Sequence, residues 1–401
     1  MEPRDAFRQV TSDAWLLFAA LGLSLLGVVM VYSTTSHHSN PMFFLHRQLQ
    51  CLMLGMIAMI VATYFPIRHL RSLSGLFLLL CFGLFVMLLV GFGVRAGGAI
   101  RWLEIGGVRL GQPSEIAKIA VVLYLADRLA SRQDRIHEFI KGFLPPIVVI
   151  LLLVALLMKQ PDFGTSMMIL SLMGILLFVG GVRKLYLFGS AVFATPIVFY
   201  LILSKEYRAK RLLAFLDPFS KENITGSAYQ LVQSLKAFAS GGLQGAGLGA
   251  GRQKIGYLPE AHTDFIFAVV GEEMGLMGVL LILTLFLLVL YRGFRIAMRS
   301  RNLFQRLVAV GVTSLIGLQG VINMGVVMGL LPTKGMPLPF LSFARTSQIV
   351  ILGSIGLLLQ IEYLNQKDRE QSLAGSQTHL LAFQDTGQFD SQSPISGRHP
   401  L

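Results

Sequence analysis

The chain has 401 residues, of which 54% are apolar and 14% are charged, whereas roughly 25% of the residues in a soluble domain are charged. Its formal net charge is +13. This composition excludes an ordinary soluble enzyme. The apolar residues come in blocks of about 20, which is the length that one helix needs to cross the hydrocarbon core. This pattern predicts an all-α polytopic membrane protein with about ten transmembrane helices.

The predicted spans follow one another along most of the chain. They lie near 14–33, 49–65, 74–94, 114–130, 143–158, 164–182, 184–204, 265–291, 307–331 and 348–364. The first is not followed by a small-residue cleavage site, so we expect a retained helix.

These spans divide the chain into three predicted parts. Residues 14–365 form the bundle and include a long extracytoplasmic loop, 205–264, between helices 7 and 8. Residues 1–13 form a cytoplasmic N-terminus, and residues 366–401 a disordered, Ser/Gln/Gly-rich cytoplasmic tail.

Arginine and lysine cluster in the connections after the second, fourth, sixth and eighth spans, which the positive-inside rule assigns to the cytoplasm together with both termini. The opposite surface nevertheless carries many cations as well. Long loops cross the membrane regardless of charge, which explains part of this excess. The other explanation is an anionic ligand, such as phosphate groups paired by arginine and lysine.

Several kinds of chemistry have no support in the sequence. No Walker-type loop and no G-x-G-x-x-G opening a helix is present, so neither ATP-driven transport nor dinucleotide chemistry is indicated. Cys51 and Cys81 lie inside predicted spans, as inert packing thiols usually do. No histidine pair has metal-ligand spacing on a helix.

Two polar segments stand at the predicted outer ends of spans. In Gly111–Lys118, Ser114 is a candidate helix N-cap, and Glu115 and Lys118 share one helical face. This pair either faces a wet cavity or forms a structural ion pair. In Gln160–Thr165, Asp162 is placed to cap the following helix.

A third segment, Tyr229–Lys236, is amphipathic and leads into the glycine run 241–251, which indicates an interfacial or re-entrant helix. Further along, Asp264 stands where the long loop enters the eighth span. At about 100° per residue, a stripe of small residues runs beneath its carboxylate: Ala268, Gly271, Gly275 and Gly278. Asp264 is either an N-cap or a catalytic carboxylate, and Glu273, on the opposite side of the helix, is predicted to be an interhelical partner.

These segments resemble those of the SEDS family (shape, elongation, division, sporulation). The resemblance is carried by Gly111-Gln-Pro-Ser-Glu-Ile-Ala-Lys118, Gln160-Pro-Asp-Phe-Gly-Thr165, Leu258-Pro-Glu-Ala-His-Thr-Asp-Phe-Ile-Phe-Ala268 and Gly329-Leu-Leu-Pro-Thr-Lys-Gly-Met-Pro-Leu-Pro-Phe-Leu-Ser342, in family order. It covers about residues 10–365. The sequence around His262 and Lys334 resembles that of the division branch, FtsW, more than that of the elongation branch, RodA.

The resemblance implies a peptidoglycan glycosyltransferase that polymerises lipid II on the outer face of the bacterial inner membrane, with division at the septum as its setting. The donor would be a glycan on undecaprenyl pyrophosphate, and the acceptor the 4-hydroxyl of lipid II. The residue matched to the family's essential carboxylate is Asp264, in the role of general base. The small-residue stripe is then a candidate space for a prenyl chain.

The resemblance and the charge pattern together nominate a set of substrate-binding residues. They are Arg101, Glu115, Lys118, Gln160, Asp162, Arg208, Arg211, Gln233, Lys236, His262, Thr263, Lys334, Ser342 and Arg345. Expected partners are a class B penicillin-binding transpeptidase, other divisome proteins and membrane lipids, with no nucleic acid. A divalent cation, Mg²⁺ or Mn²⁺, bridging the pyrophosphate is chemically plausible, but no ligand cluster demands one.

One segment departs from the family pattern. Where the family usually has Tyr-Gly-Gly-Ser-Ser, this chain has Phe343-Ala-Arg-Thr-Ser347, and glycine permits close approach and positive φ that Ala344 and Arg345 do not easily allow. Arg345 either binds pyrophosphate or fills the site. Two alternatives to the polymerase therefore stay open: a lipid II flippase, and a non-catalytic divisome scaffold that activates a transpeptidase.

Overall fold

The computed structural model describes residues 8–96, 99–105 and 108–386. Within them, helical segments lie at all ten predicted span positions. The helices are α1 Ala14–Thr35, α2 Pro41–Tyr64, α3 Ile67–Met87, α4 Pro113–Ser131, α5 Leu144–Lys159, α6 Phe163–Val179, α7 Lys184–Leu203, α8 Glu206–Leu216, α9 Tyr229–Gly241, α10 Ile266–Glu273, α11 Gly275–Arg299, α12 Leu303–Val327 and α13 Arg345–Thr386.

Eight of these helical segments, in the part of the chain that the structure describes, are long and apolar enough to cross a membrane. Two bundle helices fall short of that standard: α6 has 17 residues, and α4 carries Glu115, Lys118, Asp127 and Arg128. Both are packed inside the bundle against α12, so their polar residues are enclosed by protein instead of facing lipid. The predicted helical membrane architecture is confirmed.

The eighth predicted span is two helices. α10 ends at Glu273, Met274 interrupts it, and α11 begins at Gly275 with φ of +64°. A positive φ is easily adopted only by glycine, and here it breaks the helix. The stripe of small residues is consequently not continuous beneath Asp264.

The stripe also has no room for a prenyl chain, so that hypothesis is wrong. A β-carbon at Gly271 would collide with Phe238 of α9, and one at Gly275 would collide with the backbone of Gly245. The small residues allow α9 and the glycine-rich loop that follows it to approach α10 and α11 closely, which is the other use of such a stripe.

The long loop predicted at 205–264 contains α8, α9 and the glycine loop, which we define as residues 242–256. Four of its glycines, at 245, 247, 249 and 256, have φ of +81° to +98°. Two backbone hydrogen bonds join the loop to the helix break: Leu276 N donates to Gly242 O, and Met277 N donates to Leu243 O. The predicted amphipathic helix is therefore present as α9, packed on α10.

The connection between α3 and α4 forms a small antiparallel sheet in the order β1 (Gly93–Ala96), β2 (Ala99–Ile105), β3 (Val108–Gly111). Leu103 of β2 pairs with both Gly93 and Gly111, so the sheet leads the chain directly to the start of α4. It also sets Arg101 at this end of the bundle.

The C-terminal segment differs from the predicted disordered tail, because α13 continues from the bundle to Thr386. Residues 366–386 are rich in good helix formers such as Gln, Lys, Arg, Leu and Ala. The first turns beyond the bundle are also anchored: Gln366 donates to Ser12 O (2.8 Å) and Arg301 donates to Ser372 (2.9 Å). The predicted end segments 1–7 and 387–401 lie outside the described residues.

The chain crosses the bundle back and forth, so the ends of α1, α3, α5 and α12 lie at the same side as the starts of α2, α4, α6, α10 and α13. We call this side the site end and the other side the far end. The apolar core lies between them and is continuous across α1, α4, α10 and α12.

Candidate active site

At the site end, the local sequence determines where α4 and α6 begin. Asp162 caps α6, as predicted: its carboxylate accepts from Thr165 N (3.2 Å) and from the Thr165 hydroxyl (2.8 Å). The predicted Ser114 cap is wrong, because α4 begins at Pro113, before Ser114, with Gln112 in the cap position. Proline's fixed φ suits the first helical position and starts the helix there.

Asp264 lies immediately before α10 and is half-buried. It is not the N-cap, which is Phe265. Its backbone carbonyl accepts a hydrogen bond from Asn323 Nδ2 of α12 (2.7 Å), whereas no described residue donates to its carboxylate. The fold thus holds the main chain of Asp264 and leaves its side chain available.

The electrostatic surroundings of this carboxylate suit a base. Burial, reinforced by the negative charge of Glu260, raises the pKa of Asp264 to about 7, while Arg101 and Arg211 oppose that rise. A base with a pKa near the ambient pH is both ionised and able to hold a proton. Glu260 itself has φ of +58° and accepts from the Thr263 hydroxyl (2.6 Å).

Lys334 belongs to the final loop, which packs against this carboxylate. The following residue, Gly335, packs so closely that a β-carbon there would lie 2.6 Å from Oδ2 of Asp264. The Lys334 side chain covers Gly164 at the start of α6. Burial lowers the pKa of Lys334 to about 8, with Asp162 opposing and Lys118 and Arg101 adding to the shift.

Arg101 and Arg211 approach the same place from separate elements. Arg101 donates to Pro161 O (2.9 Å) and lies 3.8 Å from the Asp162 carboxylate. Arg211 of α8 reaches Thr333 O (3.5 Å). These cations come from the sheet, α8 and the final loop. Arg101 and Arg211 act electrostatically on Asp264, whereas Arg101 and Lys334 act on Asp162. We call Arg101, Arg211 and Lys334 the site cations.

Polar atoms around the site cations lack hydrogen-bond partners among the described residues. Gln160 is 3% exposed, and its Nε2 is unsatisfied. The same holds for Arg101 Nε, Thr333 Oγ1 and Glu115 Oε2. Buried polar atoms are rarely left unpaired, and those of Gln160, Arg101 and Thr333 would pair with a polar substrate that reaches this turn.

Glu115 and Lys118 form the structural pair that was one of the two interpretations. Lys118 Nζ donates to Glu115 Oε1 and to Gln319 Oε1, both at 2.8 Å, and both ion-pair partners are buried. Gln319 in turn donates to Pro337 O (3.0 Å). The pair lies beneath the site and supports the final loop, rather than facing Asp264.

Three nominated residues lie on the long loop away from the carboxylate. Arg208 lies over the rings of Phe163 and Tyr207 and donates to Leu201 O (2.7 Å). On α9, Gln233 is buried and Lys236 is exposed. None of these three forms a hydrogen bond or ion pair with Asp162 or Asp264 in the described part of the chain, and their substrate-binding role stays a prediction.

His262, Thr263 and Ser342 fix the path of the Asp264 segment. Ser342 Oγ donates to Thr263 O (2.5 Å) and accepts from Leu338 N (2.7 Å), while Phe343 N donates to His262 O (3.0 Å). The His262 ring packs among Phe44, Phe343 and His38. These residues hold the Asp264 segment in place.

The divergent segment 343–347 needs no glycine here. Among the described residues, the non-glycine positions with positive φ are Pro161, Glu260 and Phe340, so Ala344 and Arg345 have ordinary backbone. Arg345 opens α13 with ordinary backbone, so this segment reaches its position without the family's glycines. The role of Arg345 in pyrophosphate binding stays a prediction.

Two residues at the centre are not among the nominated site residues. The amide of Asn323 donates to Asp264 O and to Met336 O (2.6 Å), joining two loops. Gly335 lies inside the last of the four motifs. A polar residue near the end of an apolar span and a glycine inside a loop motif are the signals that point to them.

No cluster of three or more histidine, cysteine or acidic residues that could hold a metal is present in the described ranges. The charged groups at the site are the carboxylates of Asp162 and Asp264 and the three site cations, with unpaired polar groups beside them.

The profile of the FtsW/RodA/SpoVE family, described as cell cycle protein, matches residues 13–367. The chain belongs to this family. The resemblance inferred from the four motifs is therefore confirmed.

Relatives cover nearly the whole chain. It is 42% identical to the probable peptidoglycan glycosyltransferase FtsW of Geobacter metallireducens over 355 residues, which is 87% of this chain and 94% of that protein. Among solved structures it is similar to a chain of a peptidoglycan synthase complex described as coordinating polymerisation and crosslinking, with a TM-score of 0.75, 28% identity, and coverage of 88% and 98%. It is also similar to the rod shape determining protein RodA of Thermus thermophilus, with a TM-score of 0.64, 27% identity, and coverage of 86% and 95%.

Proposed function

We propose that this FtsW/RodA/SpoVE family member is a peptidoglycan glycosyltransferase that polymerises lipid II, with Asp264 as the general base. The observation that carries this proposal is one carboxylate with a pKa of about 7 and no described hydrogen-bond donor, flanked by the site cations. The names of its relatives support the reaction class.

The reaction needs a base at one end and charge neutralisation at the other. Asp264 takes the proton from the acceptor 4-hydroxyl while that oxygen forms a bond to C1 of the donor sugar. The bond from C1 to the pyrophosphate oxygen breaks, and its electron pair leaves with undecaprenyl pyrophosphate. The leaving group therefore gains negative charge, which cations can stabilise.

The site cations are the groups that fit this second role. Lys334 and Arg101 lie beside Asp162, and Arg211 approaches the same loop. Pyrophosphate binding would favour the charged form of Lys334, whose pKa is only about 8 without a ligand. We assign Gln160 and Asp162 to the same subsite because both lie at the turn that Arg101 contacts.

The cellular setting forms part of the proposal. The site end would face outward from the bacterial inner membrane at the division septum, with both termini in the cytoplasm. The partner would be a class B penicillin-binding transpeptidase, in keeping with the similarity to a complex that links polymerisation to crosslinking.

The deciding experiment compares glycan formation from labelled lipid II by the wild type and by Asp264→Asn, each purified in detergent with the cognate transpeptidase. Loss of a general base costs about 10² to 10⁴ in rate, so we expect no detectable polymer from the variant. Asp217→Asn, at an exposed aspartate of the long loop, makes the same acid-to-amide change outside the site and serves as the control. Polymer from Asp264→Asn at the wild-type rate would refute the assignment, and a change in its thermal unfolding would show a structural defect.

A further inference from the structure

The far end of the bundle contains a cavity of about 580 Å³ at the junction between α4 and α5. It is a full length of α4 away from Asp264, about 28 Å for 19 residues. Three cations line it, Arg132, Arg135 and Lys141, together with Asp134. It thus has no part in the proposed reaction.

The three cavity cations have no carboxylate partner among the described residues. No described carboxylate lies within 4 Å of a side-chain nitrogen of Arg132, Arg135 or Lys141, although Asp134 lines the same cavity. Arg71, in contrast, is paired with Asp127 (3.1 Å), Arg292 with Asp13 (2.8 Å) and Arg299 with Glu362 (3.1 Å). Other far-end arginines, such as Arg68 and Arg183, lack a described carboxylate partner as well, but they do not line the cavity. The positive-inside rule accounts for the number of cations at the far end, but not for the convergence of three of them on one cavity that holds a single acidic residue.

The rim of the cavity is apolar and aromatic. Ile140, which lines it, is 72% exposed, and the neighbouring Phe139 is 47% exposed. Phe139 packs on Phe143 and Tyr186 in an aromatic cluster. These residues stand at the start of the membrane-spanning segment Phe139–Lys159, which is the depth at which lipid headgroups lie.

We propose that this cavity binds the phosphate headgroup of an anionic phospholipid. The three cations would pair with the phosphate, while Ile140 and Phe139 contact the first carbons of the acyl chains. A cationic pocket between helices with an apolar rim at the membrane surface is the arrangement that recognises such headgroups. A soluble phosphate compound would use the cations but would gain nothing from the exposed rim.

Native mass spectrometry of the full chain in detergent tests this. The probes are phosphatidylglycerol, phosphatidylcholine with the same acyl chains, and inorganic phosphate. We expect phosphatidylglycerol adducts in excess of phosphatidylcholine adducts. Arg132→Gln/Lys141→Gln should weaken phosphatidylglycerol binding by roughly fivefold for each cation removed.

The matched control is Arg68→Gln/Arg183→Gln, which removes the same charge from exposed positions at the far end that do not line the cavity. It should bind phosphatidylglycerol like the wild type. An equal loss in the control would show a general charge effect and overturn the proposal. So would unchanged binding in the cavity variant, or displacement of the lipid by millimolar inorganic phosphate, which would indicate a soluble ligand.

Discussion

The two ends of α10 carry carboxylates of opposite character. At its C-terminal end, Glu273 accepts from Lys254 Nζ (2.6 Å), the Ser33 hydroxyl (2.6 Å) and Gly249 N (3.0 Å), and its side chain is fully buried. Just before its N-terminal end, the carboxylate of Asp264 accepts no hydrogen bond from the described residues. A carboxylate saturated with partners holds the structure together, whereas one with nearby charges and no donors is available for proton transfer.

The largest expected effect on folding comes from Glu273→Gln. Removing one partner of a buried ion pair leaves Lys254 uncompensated and costs about 3 to 5 kcal/mol in the free energy of unfolding. Denaturant titration in detergent micelles would measure it.

The control for that change is Glu206→Gln, which breaks the Glu206–Lys210 pair (2.7 Å) on the surface of α8. Both partners are well exposed, so we expect no measurable change. Equal destabilisation by the two variants would mean that the Glu273 cluster does not support the fold as described.

The second prediction concerns pH. Polymerisation requires ionised Asp264, and burial keeps the proton on it up to about pH 7. The value of kcat/KM should therefore rise about tenfold per pH unit below 7, so that the rate at pH 6 is about a tenth of the plateau. An acid limb near pH 4 instead would show that the base is an unperturbed carboxylate.

On the alkaline side, the same profile reports on Lys334. Its pKa of about 8 predicts a fall in kcat/KM above that pH, as the cation loses its proton. Lys334→Gln should lower the plateau and abolish the alkaline limb, while leaving the acid limb in place.

A smaller effect is expected from Gly335→Ala. The added β-carbon would lie 2.6 Å from Oδ2 of Asp264, so the carboxylate must move, and we expect a fall in kcat of about tenfold with little change in stability. Gly353→Ala is the control, since its β-carbon would meet Ala58 at an ordinary 3.7 Å. Equal activity of the two variants would argue against a precisely placed base.

The smallest effect is expected from Arg345→Gly, which restores the family residue. Because Arg345 has ordinary backbone and is not among the groups that shift the pKa of Asp264, polymerisation should change less than about threefold. A large gain of activity would instead favour the idea that this segment blocks the site.

How far the sequence predicts this molecule differs between its parts. Apolar runs located all ten spans, because hydrocarbon thickness sets their length. The apolar run at 265–291 was predicted as one helix, although the helix is interrupted at Met274 and Gly275. Hydropathy does not depend on backbone conformation, so it does not show a single residue with positive φ. The continuation of α13 beyond residue 365 was not predicted. It is stabilised by contacts with Ser12 and Arg301, which are distant in sequence, and the composition of the segment itself does not indicate such contacts.

The site shows the same division. Asp162, Asp264 and Lys334 were found because short motifs mark them. Which cations reach Asp264 depends on three elements far apart in the chain, so spacing alone could not separate Arg101 and Arg211 from Arg208 or Lys236.

The side-chain amide of Asn323 has a consequence for how precisely this machinery can be set. One NH₂ group spans the carbonyl of Asp264 and the carbonyl of Met336, two residues after Lys334. A single amide of α12 thus ties the main chain of Asp264 to the loop that carries Lys334, and it limits how far these two segments can move apart. Thermal motion that displaces one of these loops would displace the other with it. The distance between them therefore varies less than it would if each loop were held by a separate contact.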